Sequence, residues 1–342
     1  MTNDPPFEPP LWLRNAHLQT LGAALPLWSR GRASLRDGVS VRIPLSGEGD
    51  GAALHGRMHW QSLVEKGRRR SDAVALVHGV GGTSQSRYLA RAARAFGEAG
   101  FHALRLDLRG AGEGLETAPS LYHAALTRDL AAAVSWLAAS PDVDRVFVVG
   151  FSLGGHLALR WAGELGSLRP PRLAAIAALS APLDLESTTE ALERARSVPY
   201  HRYITRNLQR TARAFALRHP KLAHFTVREL DRVRSVRAYD SLVIAPMHGW
   251  RSAEDYYASA SAAPWLPKIE VPCLVVHAED DPMVPARLVR GPLAQASGAV
   301  SQSWSAYGGH VGWFAGFGER SWLSTWALLR VVEFFRGDRP VS

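Results

Sequence analysis

Cysteine is nearly missing. Cys273 is the only one in 342 residues, which excludes an internal disulfide framework and any cysteine-based metal cluster. Lysine is scarce as well: Lys66, Lys221 and Lys268 are the only three, so almost all of the 40 basic side chains are arginine. No stretch approaches the roughly 20 apolar residues that a membrane span requires. The charge-free segment from Gly291 to Gly318 is interrupted by Ser, Gln, Gly and His. The opening, MTNDPPFEPP, has neither a basic start nor an apolar run, so no signal peptide is expected and the expected location is cytoplasmic. There is no G-x-G-x-x-G after a first strand and no G-x-x-x-x-G-K-[ST], so no nucleotide cofactor is indicated. His55 and His59 share a strand face but lack a third ligand at suitable spacing, so they read as structural and no metal is expected.

What remains is ordinary for a folded protein: 46% hydrophobic, 21% charged and 9% aromatic residues. The net charge of +9 (40 basic less 31 acidic) invites a nucleic-acid reading. The arginines are spread along the chain, and no zinc finger, basic zipper or RNA-binding fingerprint accompanies them, so no nucleic-acid partner is expected. The length admits a single α/β domain with an insertion.

Apolar runs alternate with helical patterns, the mark of a mostly parallel sheet flanked by helices. Strands are expected at Ala73–Val80, His102–Leu108, Arg145–Phe151, Leu173–Leu179, Cys273–His277 and, more weakly, Ser301–Tyr307. Helices are expected at Gln85–Gly100, Leu121–Ala139, Leu153–Gly166 and Ser321–Phe335. Residues before about 70 read as an N-terminal arm with irregular strands. The rhythm breaks once, between Ala181 and about Lys268, where the sequence is helical and Arg-rich. So long a stretch cannot be a plain loop. The expected organisation is one catalytic domain: 1–182 as N-terminal arm and first part of the core, 183–268 as an inserted helical lid, and 269–342 as the remainder. A lid at that place covers the carboxyl ends of the strands, where open α/β sheets bind ligands.

Gly150-Phe151-Ser152-Leu153-Gly154-Gly155 fits G-x-S-x-G, with an apolar strand running in and a helix running out. The serine then sits on a strained turn cleared by glycines, with helix N–H groups beside it. A serine nucleophile needs a base, and the base needs an orienting carboxylate, in the chain order Ser, acid, His. After the strand at Cys273–His277, Glu279, Asp280 and Asp281 compete for the acid. Asp281 is favoured because Pro282 fixes the turn after it. His310, in Gly308-Gly309-His310-Val311-Gly312, follows one helix and one strand later, as the base should. His248 is the strongest rival base, but it precedes the acid. For an oxyanion, the Leu153 N–H pairs with one from His78-Gly79-Val80-Gly81-Gly82; Val80 is the choice and Gly81 the alternative.

On these motifs the chain resembles the α/β-hydrolase superfamily, and within it the YheT-like hydrolases, relatives of mammalian α/β-hydrolase-domain lipid hydrolases and yeast ethyl-ester acyltransferases. The resemblance extends over nearly the whole chain. It includes the opening from Phe7 to Thr20 (FEPPLWLRNAHLQT), which ordinary hydrolases lack, and the lid stretches Val227–Asp231, Pro246–Gly249 and Asp255–Tyr257. It implies an α/β-hydrolase fold and the triad Ser152, Asp281 and His310. One departure lies in the loop after the first strand, where Gly81 and Thr83 stand near positions that are acidic and serine in relatives.

Within the lid, Arg202, Arg206, Arg210 and Arg213 fall on one helical face, opposite Ile204, Leu208, Ala212 and Phe215. A solvated basic face is the ordinary reading; the alternative is peripheral contact with an anionic membrane. His248, Trp250, Tyr256 and Tyr257 are candidates for substrate binding. The expected activity is hydrolysis of a small-molecule or lipid carboxylic ester with an apolar acyl chain. The alternatives are acyl transfer to an alcohol by the same residues and a non-catalytic binding protein on the same scaffold.

Overall fold

The most apolar strands are expected at the centre of a sheet, where both faces are covered. In the computed structural model, which describes residues 6–24, 37–61, 71–194, 198–315 and 326–337, they take those places. The strands are β1 (Val39–Pro44), β2 (Ala53–His59), β3 (Ser71–Val77), β4 (His102–Asp107), β5 (Val143–Phe151), β6 (Leu173–Leu179), β7 (Cys273–Ala278) and β8 (Val300–Ser305). They form one sheet in the order β1-β2-β4-β3-β5-β6-β7-β8. β2 is antiparallel to β1 and β4; all the other pairings are parallel.

Alternate residues of β3 feed opposite faces. Ala73, Ala75 and Val77 pack with Leu130 and Val134 of α3 (Thr127–Ala139) and Trp161 of α4 (Leu153–Leu165). Val74 and Leu76 pack with Phe96 of α2 (Arg87–Glu98) and Phe335 of α12 (Ala327–Arg336). Helix α1 (Ala16–Ala24) precedes the sheet, and α11 (Ala286–Leu293) joins β7 to β8.

Between β6 and β7 the described residues hold no strand. Helices α5 (Leu185–Glu193), α6 (Val198–Arg218), α7 (Val227–Leu230), α8 (Val236–Tyr239), α9 (Ala245–His248) and α10 (Ala253–Ala260) lie there, with a π-helical turn at Asp240–Ile244 and a 3-10 turn at Ala263–Lys268. They bury an apolar cluster of their own, which includes Ile204, Leu208, Ala212 and Phe215 of α6. Val80, Leu153 and Met283, at the carboxyl ends of β3, β5 and β7, pack against it. Arg202, Arg206, Arg210 and Arg213 are exposed on the other face of α6; Arg213 pairs with Asp231, and Arg210 donates to Asn207. Among the described residues no helix is long and apolar enough to cross a membrane.

Two elements depart from expectation. The helix expected from Leu121 begins only at Thr127, because tertiary partners take the preceding backbone: the Tyr122 N–H donates to the Arg109 carbonyl (2.9 Å) and the Ala124 N–H to the Tyr256 hydroxyl (2.9 Å). The irregular N-terminal strands include a regular antiparallel pair, β1 and β2. Helix α11 is the helix expected between the acid and the base, and Gly291 and Pro292 sit inside it. Of the helix expected at Ser321–Phe335, residues 321–325 lie outside the described residues.

Candidate active site

β5 ends at Phe151 and α4 starts at Leu153, so Ser152 alone makes the turn between them. Its φ of 52° and ψ of −119° are strained for a residue with a side chain, at a cost of about 1–3 kcal/mol. The surroundings hold it there. The Ser152 N–H donates to the Leu179 carbonyl (2.8 Å), and its carbonyl accepts from the His156 N–H (3.0 Å). A Cβ on Gly150 would lie 2.2 Å from the Gly154 carbonyl oxygen, and one on Gly154 would lie 2.4 Å from that of Val77. Both positions therefore require glycine, which explains the motif's spacing.

The loop after β8 brings His310 to this turn. Its Nε2 lies 3.0 Å from Ser152 Oγ and its Nδ1 lies 2.9 Å from Asp281 Oδ2. Asp281 is buried, and its Oδ1 accepts from the N–H groups of Met283 (2.8 Å) and Val284 (2.9 Å). The three competing acids separate by partner. Glu279 pairs at the surface with Arg290. Asp280 accepts from the Gly309 N–H (2.8 Å), and burial pushes its pKa up to about 6. Only Asp281 of the three faces the imidazole. His277, 4.0 Å from Asp281, is bonded to the Val284 carbonyl, and burial lowers its pKa.

His248, the rival base, does not reach the serine. Its Nε2 is 2.9 Å from the Leu121 carbonyl, and its ring packs 4.3 Å from that of His123.

The loop after β3 distinguishes the two candidate oxyanion donors. The Gly81 N–H donates to the Tyr122 hydroxyl (2.7 Å) and the Gly79 N–H to the Tyr88 hydroxyl (2.9 Å). Among the described residues the N–H groups of Val80 and Leu153 have no acceptor. His78 braces the loop: its Nε2 accepts from the Leu108 N–H (3.1 Å) and its Nδ1 lies 2.8 Å from the Gly79 carbonyl. Burial lowers its pKa to about 4, which keeps it neutral.

Ser152, His310, Val80 and Leu153 all line a cavity of about 100 Å³. Leu185, Leu192, Ile204 and Leu208 supply an apolar wall from α5 and α6. Tyr256 and Tyr257 line it too, but His248 and Trp250 are not among its lining residues, which corrects the expectation for those two. His248 is held by Leu121, and Trp250 packs behind Tyr256 (ring centroids 4.7 Å apart). Sequence reasoning missed Tyr122, His123, Met283 and Asp240. Asp240 accepts from the Tyr257 hydroxyl (2.6 Å), and burial raises its pKa to about 7. A buried carboxyl at the start of a π-helical turn is a signal only coordinates reveal.

A mostly parallel sheet whose central strand delivers a strained serine to a helix N-terminus, facing a histidine and an aspartate that follow later strands, is an α/β-hydrolase. The model of the family described as serine aminopeptidase, S33, matches residues 68–304, and the chain belongs to that family. It is 28% identical to YheT of Escherichia coli (strain K12), over 91% of this chain and 87% of that protein. It is 30% identical to phospholipase ABHD3 of Mus musculus over 72% of this chain, and the match spans only 59% of that longer protein. Among solved structures, the α/β hydrolase GrgF of a Penicillium species superposes with a TM-score of 0.58 at 20% identity, covering 87% of this chain and 98% of that one.

Proposed function

We propose that the protein hydrolyses carboxylic esters with an apolar acyl chain through a serine acyl-enzyme. Ser152 is the nucleophile, His310 the base and Asp281 the carboxylate that orients it. The observation that carries this reading is the relay from Asp281 to His310 to Ser152, with contacts of 2.9 and 3.0 Å, at the wall of an apolar cavity.

With the Nδ1 proton donated to Asp281, Nε2 is free to take the hydroxyl proton as Ser152 Oγ attacks the ester carbonyl. The Leu153 and Val80 N–H groups receive the oxyanion. Each such donor contributes roughly 100- to 1,000-fold in other acyl-transfer enzymes. Collapse of the tetrahedral intermediate breaks the bond to the alcohol, which leaves with the proton from Nε2. Water then repeats the sequence on the acyl-enzyme and regenerates the serine. Residues 183–268 act as a lid whose apolar side receives the acyl chain. The phospholipase name of the mouse relative supports a lipid ester as substrate.

The family's description names a peptidase, so the decisive assay compares bond types. The expected result is cleavage of p-nitrophenyl esters of increasing acyl length, little cleavage of amino-acid p-nitroanilides, and no activity in Ser152→Ala. Preference for the anilides overturns the ester reading. Preferential transfer of the acyl group to added alcohol over water turns the assignment to an acyltransferase.

A further inference from the structure

The segment Asn15-Ala16-His17-Leu18-Gln19-Thr20 has no part in the chemistry above, yet it lies against the loop that carries His310. Thr20 Oγ1 donates to the Ala16 carbonyl (2.8 Å) and accepts the main-chain N–H of His310 itself (2.9 Å). Gln19, fully buried, works on the other side of the histidine. Its Nε2 donates to the carbonyls of Leu13 (2.9 Å) and Phe314 (2.8 Å), and its Oε1 accepts the Phe314 N–H (2.5 Å). The loop between these anchors is tightly fitted to the helix. A Cβ on Gly309 would lie 2.5 Å from the Ala16 carbonyl oxygen, and one on Gly312 would lie 2.7 Å from that of Gln19.

The loop is also in a conformation that it would not keep alone. Val311 and Trp313 have φ of 58° and 46°, left-handed values that a β-branched and a bulky residue avoid. Such a backbone persists only where its surroundings over-determine it. Here Gln19 and Thr20 supply anchors from α1, with the Val311 N–H donating to Ser180 Oγ (3.1 Å) from the core. At the outer end of α1, His17 Nδ1 lies 2.8 Å from the Tyr200 hydroxyl of α6, and the two rings stack. The same short helix thus touches both the His310 loop and the helix that walls the cavity.

We propose that α1 is a positioning element for the base: Thr20 and Gln19 fix the backbone on either side of His310, so that its imidazole stands between Asp281 and Ser152. This rests on the reading of His310 as the base. It assigns the N-terminal segment a role in turnover rather than in substrate recognition.

The test is steady-state kinetics of the full chain on p-nitrophenyl butyrate, with folding checked by circular dichroism. Thr20→Val keeps the shape and removes the acceptor for the His310 N–H; it should lower kcat about tenfold or more with KM within about twofold, since an unmade buried hydrogen bond disturbs the loop that holds the base. Thr20→Ser restores the hydroxyl and should recover kcat to within about threefold, because the acceptor is back in place. Gln19→Glu still accepts the Phe314 N–H but donates nothing when ionised, and should also lose kcat rather than KM. Should Thr20→Val not fold, Thr20→Ala, which adds no bulk beside the loop, decides by the same split. Wild-type kcat in a folded Thr20 variant overturns the proposal, as does a loss shared equally by kcat, KM and stability, which marks a scaffold role. Ser152→Ala and His310→Ala run alongside. If they retain turnover, the underlying chemistry is wrong; if they are inactive while the Thr20 variants are normal, only the positioning role is lost.

Discussion

Replacing Asp281 by asparagine is a nearly isosteric change whose consequence follows from which oxygen faces which partner. Oδ1 receives the two backbone N–H groups of Met283 and Val284, and Oδ2 faces His310 Nδ1. An asparagine keeps its carbonyl oxygen on the backbone donors, because an amide NH2 there would meet N–H groups. Its NH2 then points at Nδ1 and donates to it. The imidazole proton moves to Nε2, opposite Ser152 Oγ, and the ring can no longer accept the hydroxyl proton. The same change in other Ser-His-Asp enzymes lowers kcat about 10,000-fold, equivalent to roughly 5.5 kcal/mol of transition-state stabilisation. Neighbouring carboxylates serve as controls. Asp280→Asn keeps an oxygen for the Gly309 N–H and does not face the ring; Glu279→Gln loses only a surface pair with Arg290. Both should keep kcat/KM within about fivefold, the scale of an exposed ion pair. The assay is kcat/KM on a p-nitrophenyl ester from pH 6 to 9, with thermal unfolding to show that each variant is folded. A larger loss in Asp280→Asn than in Asp281→Asn would refute the assignment.

Asp280 has a second signature. Its folded pKa of about 6 lies above the ordinary 3.8, so ionisation costs the folded state stability as pH rises from about 4 to past 6, up to roughly 3 kcal/mol. Asp280→Asn should therefore raise Tm at pH 8 and leave it unchanged below pH 4; an equal gain at both pH values would contradict the shift. Arg109 is buried against Asp129 and Glu48, so Arg109→Met should destabilise by about 3–5 kcal/mol by leaving Asp129 ionised and unpaired. Urea unfolding measures this, and the double variant with Asp129→Asn should recover part of the loss. Gly154→Ala places a methyl 2.4 Å from the Val77 carbonyl oxygen and should cost about 3 kcal/mol or more, or abolish soluble expression. A stable, active Gly154→Ala protein would mean that the turn is looser than described.

The turn at Ser152 was legible in the sequence because two close backbone approaches demand glycine at fixed distances from it, and because β5 from Val146 onward is fully buried and carries no charged residue. That the Gly81 N–H is taken was not, since its acceptor is the hydroxyl of Tyr122, distant in the sequence. Tyr122 itself lay in a segment whose apolar period reads as helix and whose backbone is instead tied to Arg109 and Tyr256. The pocket residues show the same limit. Tyr256 and Trp250 are both aromatic and near in sequence, but Tyr256 lies on α10 and lines the cavity, whereas Trp250 sits in the link before that helix and packs behind it. Gly309 and Gly312, on either side of His310, leave clearance for α1, which no local pattern announces.

The most direct test of the relay is covalent labelling of Ser152. A fluorophosphonate should add once per chain by intact-mass analysis, map to the peptide containing Ser152, vanish in Ser152→Ala and slow sharply in His310→Ala. A folded protein that takes no label, or takes it on a different residue, would contradict the proposed chemistry.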